Sequence, residues 1–140
     1  MKQLILILLV VVMSCKGKQN TPKEVAATAA PLNGSFEVTN IVASALGDKK
    51  PIITFDAKEN RVNGNSGCNS YFGQFQQEDR ALSFGVLGAT EMACQEPLML
   101  AEMALYKAFQ NTASFDLENS ILVFKDQEGN DLLTAIHKRD

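Results

Sequence analysis

An α+β domain of about eight short strands and one amphipathic helix is the fold class this sequence predicts, and three observations predict it. Apolar and polar residues alternate in short runs separated by polar turns, the two-residue period of half-buried strands. A single segment, Pro97 to Asn111, abandons that period and places apolar residues at intervals of three and four. Both patterns are confined to residues 32–140, while the preceding stretch has another composition altogether.

At the N-terminus, Lys2 supplies a positive charge, Leu4 to Met13 form an apolar run, and Ser14 places a small residue before Cys15. That order is the pattern of a bacterial lipoprotein signal, cleaved ahead of a cysteine that then carries palmitate-type acyl chains as a membrane anchor. The run is too short to cross a bilayer, whose core of about 30 Å needs roughly 20 apolar residues. Residues 1–14 are therefore expected to be a signal peptide. Residues 15–31 are expected to be the lipidated cysteine and a flexible tether, because KGKQNTPKEVAATAAP contains Val25 as its only large apolar residue. Lys16 and Gly17 follow the cysteine where an Asp would retain a lipoprotein in the inner membrane, and the tether has no acidic patch of the surface-export kind. The expected address is the cell envelope, on the outer membrane facing the periplasm.

Residues 32–140 hold nine Lys or Arg against fifteen Asp or Glu, a formal charge of −6, which argues against nucleic acid or anionic lipid as a partner. They form one domain, expected to be monomeric. The strands follow in order. Ser35 to Val42 alternates with Phe36, Val38 and Val42 toward one face, and Gly47-Asp48 turns the chain. Ile52–Asp56 is a second strand. Arg61–Gly64 and Tyr71–Phe75 flank a tight segment rich in Asn and Gly, and Ala81–Phe84 follows the polar turn at Glu78-Asp79. Ser114–Leu117 and Ile121–Phe124 enclose Glu118-Asn119-Ser120 as a hairpin, and Gly129-Asn130 leads into Leu132–Ile136. In the helix, Leu98, Ala101, Leu105, Ala108 and Phe109 mark one buried stripe. Pro97 suits its first turn and Glu96 the positive end of its dipole. Such a helix must pack on the sheet or plug the mouth of a barrel.

With Cys15 assigned to lipid, Cys68 and Cys94 remain as a candidate pair in a compartment where a disulfide persists, two buried free thiols being the alternative. Around them lie two motifs. Asn63-Gly64-Asn65-Ser66-Gly67-Cys68-Asn69-Ser70-Tyr71-Phe72-Gly73-Gln74-Phe75 resembles the N-G-x-x-G-C-N-x-Y-x-G-x-Y segment of the META domain family, that of the heat-shock protein HslJ. Ala89-Thr90-Glu91-Met92-Ala93-Cys94 resembles that family's second signature, T-x-M-A-C, followed here as there by a proline and a helix with an early glutamate, Glu102. The resemblance covers about residues 32–137. It departs at Phe36, where Trp is frequent, and at Glu91, where Arg is frequent. It implies a small cracked antiparallel β-barrel with the helix packed on or in it, laid out like the pilot lipoproteins of secretins, and an association with heat shock and stress response. Because each signature carries one of the cysteines, Cys68 and Cys94 are expected to bond. Gly64, Gly67, Asn69 and Thr90 read as structural motif residues: the glycines for positive φ in a tight turn, the asparagine for bonding nearby backbone.

The inventory is poor for catalysis, and no catalytic residue, cofactor or metal is expected. His137 is the only histidine and lies beside Lys138 and Arg139 at the chain end, so a Ser–His or Cys–His relay has no base in a plausible place. The glycines of 64–73 lack the Gly-Lys-Ser/Thr of a phosphate loop, and two cysteines 26 apart with one remote histidine do not match zinc spacing. Glu78-Asp79 and Lys49-Lys50 read as solvated turns. Two binding roles remain. One is an envelope adaptor that binds another protein through a sheet edge or the loop around Tyr71 and Phe72; the other is a carrier of an apolar molecule or acyl chain inside the barrel.

Overall fold

The computed structural model describes residues 28–138, so the signal segment and Cys15 lie outside the described residues. The chain runs β1 (Gly34–Ile41), β2 (Ile52–Asp56), β3 (Arg61–Asn65), β4 (Ser70–Glu78), β5 (Ala81–Phe84), β6 (Gly88–Ala89), α1 (Glu96–Asn111), β7 (Ser114–Glu118), β8 (Ile121–Lys125) and β9 (Asp131–His137). Eight strands close an antiparallel barrel in the order β3-β2-β1-β9-β8-β7-β5-β4, with β4 returning to pair with β3. β6 is additional and pairs only with the start of β4. It is two residues long, too short for any period to announce it. Among the described residues, no helix is long and apolar enough to cross a membrane.

The barrel has one weak seam. β5 and β7 share a single register pair, Ala81 with Ser114, flanked by bonds from Leu82 N–H to the Ala113 carbonyl and from Phe115 N–H to the Arg80 carbonyl. Helix α1 touches β5 on one side of this seam and also β1 and β9. Its stripe of Ala101, Leu105, Ala108 and Phe109 is buried. Phe109 reaches Phe84 of β5 at 4.6 Å between centroids, Tyr71 of β4 at 5.4 Å and Phe124 of β8 at 6.2 Å. Those partners come from three different strands, so the end of the stripe lies within the barrel. Phe55 and Phe75 meet edge to face at 5.1 Å within a core in which aromatic rings and aliphatic side chains interleave.

Strand β1 departs from the alternation read off the sequence. Val42 was expected to face inward, but it is 53% exposed and Ile41 is buried instead. The cause is a bulge: Val38 pairs with Ala135 and Asn40 with Thr134, leaving Thr39 as the extra residue. One inserted residue shifts the inward set by one position. At the β7–β8 hairpin the loop contracts to two residues, Asn119 and Ser120, both with positive φ (50° and 69°), the left-handed pair that matches the twist of a tight hairpin. The described chain is already held at its start. Ala29 N–H donates to Asp79 Oδ1 (2.6 Å), Leu32 N–H donates to Gln77 Oε1 (2.8 Å), and Leu32 is fully buried.

Candidate functional site

The two sequence motifs meet at one polar knot. The β3–β4 turn is closed by Ser66 N–H donating to the Asn69 carbonyl (2.8 Å), and Asn65 Oδ1 accepts from Gly67 N–H (2.8 Å). Gly67 has φ +96°, and a Cβ there would stand 2.8 Å from the Lys49 carbonyl oxygen, so backbone hand and space both demand glycine. Gly64 does not follow the turn role expected of it. It lies inside β3 without a positive φ, and what excludes a side chain is proximity: a Cβ would collide with the Ile52 carbonyl and stand 2.8 Å from the Tyr71 hydroxyl.

Asn69 is the centre of the knot and is buried. Its Oδ1 accepts from the Thr90 hydroxyl (2.7 Å) and from Met92 N–H (2.8 Å), and its Nδ2 donates to Glu102 Oε1 (3.1 Å). Its backbone N–H donates to Ser66 Oγ (2.9 Å) and Glu102 Oε2 (3.1 Å), while the Ser66 hydroxyl also donates to Glu102. One amide thus joins the turn, the segment before the helix and the helix itself. Cys68 and Cys94 form a disulfide with their Cα atoms 5.9 Å apart, a covalent second link between the same turn and the start of α1. Glu102 projects from the flank of the helix, within its second turn, and the signal for it in the sequence is the early helix glutamate that follows the second motif. The Tyr106 hydroxyl is buried close to this knot. It lies near Ser66 but, among the described residues, completes no well-formed hydrogen bond. Burial, and after it the Glu102 carboxylate, pushes its pKa up. These bonds and the disulfide fasten the β3–β4 turn to the helix.

Tyr71 and Phe72, named together from the sequence as a possible interaction surface, point to opposite sides of β4. Tyr71 is buried, and its hydroxyl donates to the Ile52 carbonyl (2.9 Å). Burial first and Tyr106 second push its pKa far above the usual tyrosine value. It belongs to the core, a correction that follows from the alternation of a strand with one inward face. Phe72 is 67% exposed and its ring lies over Gly88, where a Cβ would stand 2.8 Å from the ring.

Beside Phe72 runs the β5–β6 connection, residues 85–87. It lies close on β4, because a Cβ on Gly73 would collide with the Leu87 side chain and come within 3.1 Å of the Val86 carbonyl oxygen. Val86 stands at its crest, 96% exposed. A groove of about 630 Å³ on one side is lined by Phe84, Leu87, Ala89, Tyr106 and Phe109, and one of about 690 Å³ on the other by Arg61, Asn63, Phe72 and Gln74. β6 pairs with β4 on one side, and among the described residues no strand covers its other side. Val86 escaped the sequence reading because a lone valine between two strands carries no period. Among the described residues no group of three His, Cys, Asp or Glu is gathered as a metal site would require. His137 is exposed and meets Phe36 edge-on at 5.1 Å.

Comparison with known proteins follows the same lines. The family model of the META domain matches residues 29–138. A search of curated protein sequences returns no match. Among solved structures, the NMR structure of a protein from Burkholderia xenovorans is similar with a TM-score of 0.64 and 23% identity, covering 85% of this chain and 97% of that one. The crystal structure of a DUF4847 family protein from Bacteroides vulgatus is similar with a TM-score of 0.57 and 14% identity, covering 77% of this chain and 94% of that one. At such identities the likeness is one of fold.

Proposed function

This chain belongs to the META domain family, and from that premise we propose that it is a non-enzymatic adaptor of the cell envelope. In this reading it is held through Cys15 on the outer membrane facing the periplasm, and it binds another protein during envelope stress. The observation that carries the proposal is the apolar ridge of Phe72 and Val86, flanked by two grooves and adjoining the uncovered side of β6. Exposed apolar side chains that lie side by side and are rimmed by polar residues mark a surface that a partner covers. A free strand edge adds backbone donors and acceptors that an extended segment of a partner can pair with. The carrier reading finds no comparable support, since Phe55, Phe75, Phe109 and Phe124 occupy the barrel interior.

The test is site-specific photocrosslinking in the native envelope, with a benzophenone amino acid placed at Phe72, at Val86, or at Lys58 of the β2–β3 turn as a control outside the ridge. The expected result is one protein captured from positions 72 and 86 and not from 58. Capture that is equal from all three positions, or absent from the first two, would sink the adaptor reading.

A further inference from the structure

Helix α1 has a second face that the barrel does not use. Opposite the buried stripe, Glu96, Met99, Leu100, Met103 and Lys107 are all exposed, the three apolar residues at 44%, 51% and 65%. At about 100° per residue these five positions fall within a stripe roughly 100° wide, as broad as the apolar face by which a helix normally docks. Along the axis the order is acid, three large apolar residues, base. Among the described residues neither Glu96 nor Lys107 takes part in an ion pair.

The stripe is complementary to itself. Positions 96 and 107 are centred on the same point of the helix as positions 100 and 103, between Ala101 and Glu102. A twofold axis through that point lays a second helix antiparallel to the first. It sets Glu96 of each copy against Lys107 of the other at both ends and Leu100 against Met103 in between. This is the property an isologous contact needs, one patch that meets its own copy. The unbranched methionines can adjust to each other's shape. We infer that the chain pairs with a second copy of itself through an antiparallel contact of α1 with α1, in place of the monomer the sequence suggested. The contact uses neither Phe72 nor Val86. With three apolar residues per helix it falls short of the roughly 800 Å² per partner of a standard interface, so pairing is weak in dilute solution and gains from any anchorage that confines two copies to one surface.

The experiment uses the full chain, extracted from membranes in mild detergent and treated with a zero-length carbodiimide. Within one helix Glu96 and Lys107 are 11 residues apart, roughly 16 Å along the axis, too far for a direct amide. A Glu96–Lys107 amide found by mass spectrometry is therefore between two copies, and it is expected in the crosslinked dimer. Sedimentation then measures the charge logic. Glu96→Lys or Lys107→Glu alone should weaken the dimer about tenfold, because the pair occurs twice per contact and each becomes repulsive. The double exchange should restore it. All three variants alter exposed side chains; those with Lys at position 96 also lose the acid at the positive end of the helix dipole and should melt a few degrees lower, while Lys107→Glu should melt as the parent does. A chain that stays monomeric at every concentration, a dimer without that amide, or one indifferent to the single reversals overturns the inference.

Discussion

Replacing Asn69 by alanine is expected to loosen the whole junction between the β3–β4 turn and α1, and the structure sets the size of the effect. The side chain makes three well-formed hydrogen bonds: from the Thr90 hydroxyl at 2.7 Å, from Met92 N–H at 2.8 Å and to Glu102 at 3.1 Å. Each contributes about 1 kcal/mol net. Thr90 can turn its hydroxyl elsewhere, Glu102, half-buried, can find water, and Met92 is exposed enough for its N–H to do the same. The total is about 3 kcal/mol, which in a domain of this size lowers the melting temperature by roughly 10–15 °C. Thr90→Val, which removes the bond to Asn69 and the one that Thr90 Oγ1 accepts from Ser70 N–H (3.2 Å), should cost about 1–2 kcal/mol. Urea unfolding followed by circular dichroism supplies the numbers. Combining Asn69→Ala with Glu102→Ala supplies the control, because two residues that share a bond should cost less together than the sum of their separate effects. A loss below about 1 kcal/mol for Asn69→Ala, or strict additivity with Glu102→Ala, would refute the account of Asn69 as the fastening residue.

Cys68→Ser should cost about 2–4 kcal/mol by freeing a loop of 26-residue separation in the unfolded chain; maleimide labelling of denatured, unreduced protein checks the premise and should modify neither Cys68 nor Cys94. Tyr71 and Tyr106 both have pKa values raised in the folded state, so the neutral phenols contribute stability that is complete below the ordinary tyrosine pKa of about 10 and is lost as pH rises past it. An ultraviolet titration should therefore show these two tyrosines ionising together with alkaline unfolding, and phenolate appearing at the ordinary pKa in folded protein would contradict their burial. Cys15→Ala should move the protein from the detergent phase to the aqueous phase, whereas an unchanged partition would rule out the lipid anchor.

Eight of the nine strands and the helix could be placed from the order of residues, because each makes its own local period. β2 and β5 were read with the limits they have in the structure, and the helix with one residue's difference at its start. What failed was whatever depends on a neighbouring element. The inward face of β1 changes at Thr39 because β9 pairs past it, and nothing in the sequence of β1 records that. β6 exists only because β4 offers it two residues to pair with. Gly64 was read through its backbone freedom, whereas its reason is the Ile52 carbonyl arriving from β2.

The candidate site divides in the same way. Gly67, Asn69, Thr90, Cys68 and Cys94 were singled out as residues, but their convergence on Glu102 comes from the fold, which brings the turn, the segment after β6 and the first turns of α1 to one place. Tyr71 and Phe72 could not be told apart until the barrel gave β4 an inside and an outside. By itself, the sequence determined the elements, the family and the residues that would matter, since periodicity and motif spacing are local properties of the chain. Only the tertiary structure decided which of those residues fasten the domain and which face outward, because burial depends on contacts between segments distant along the chain.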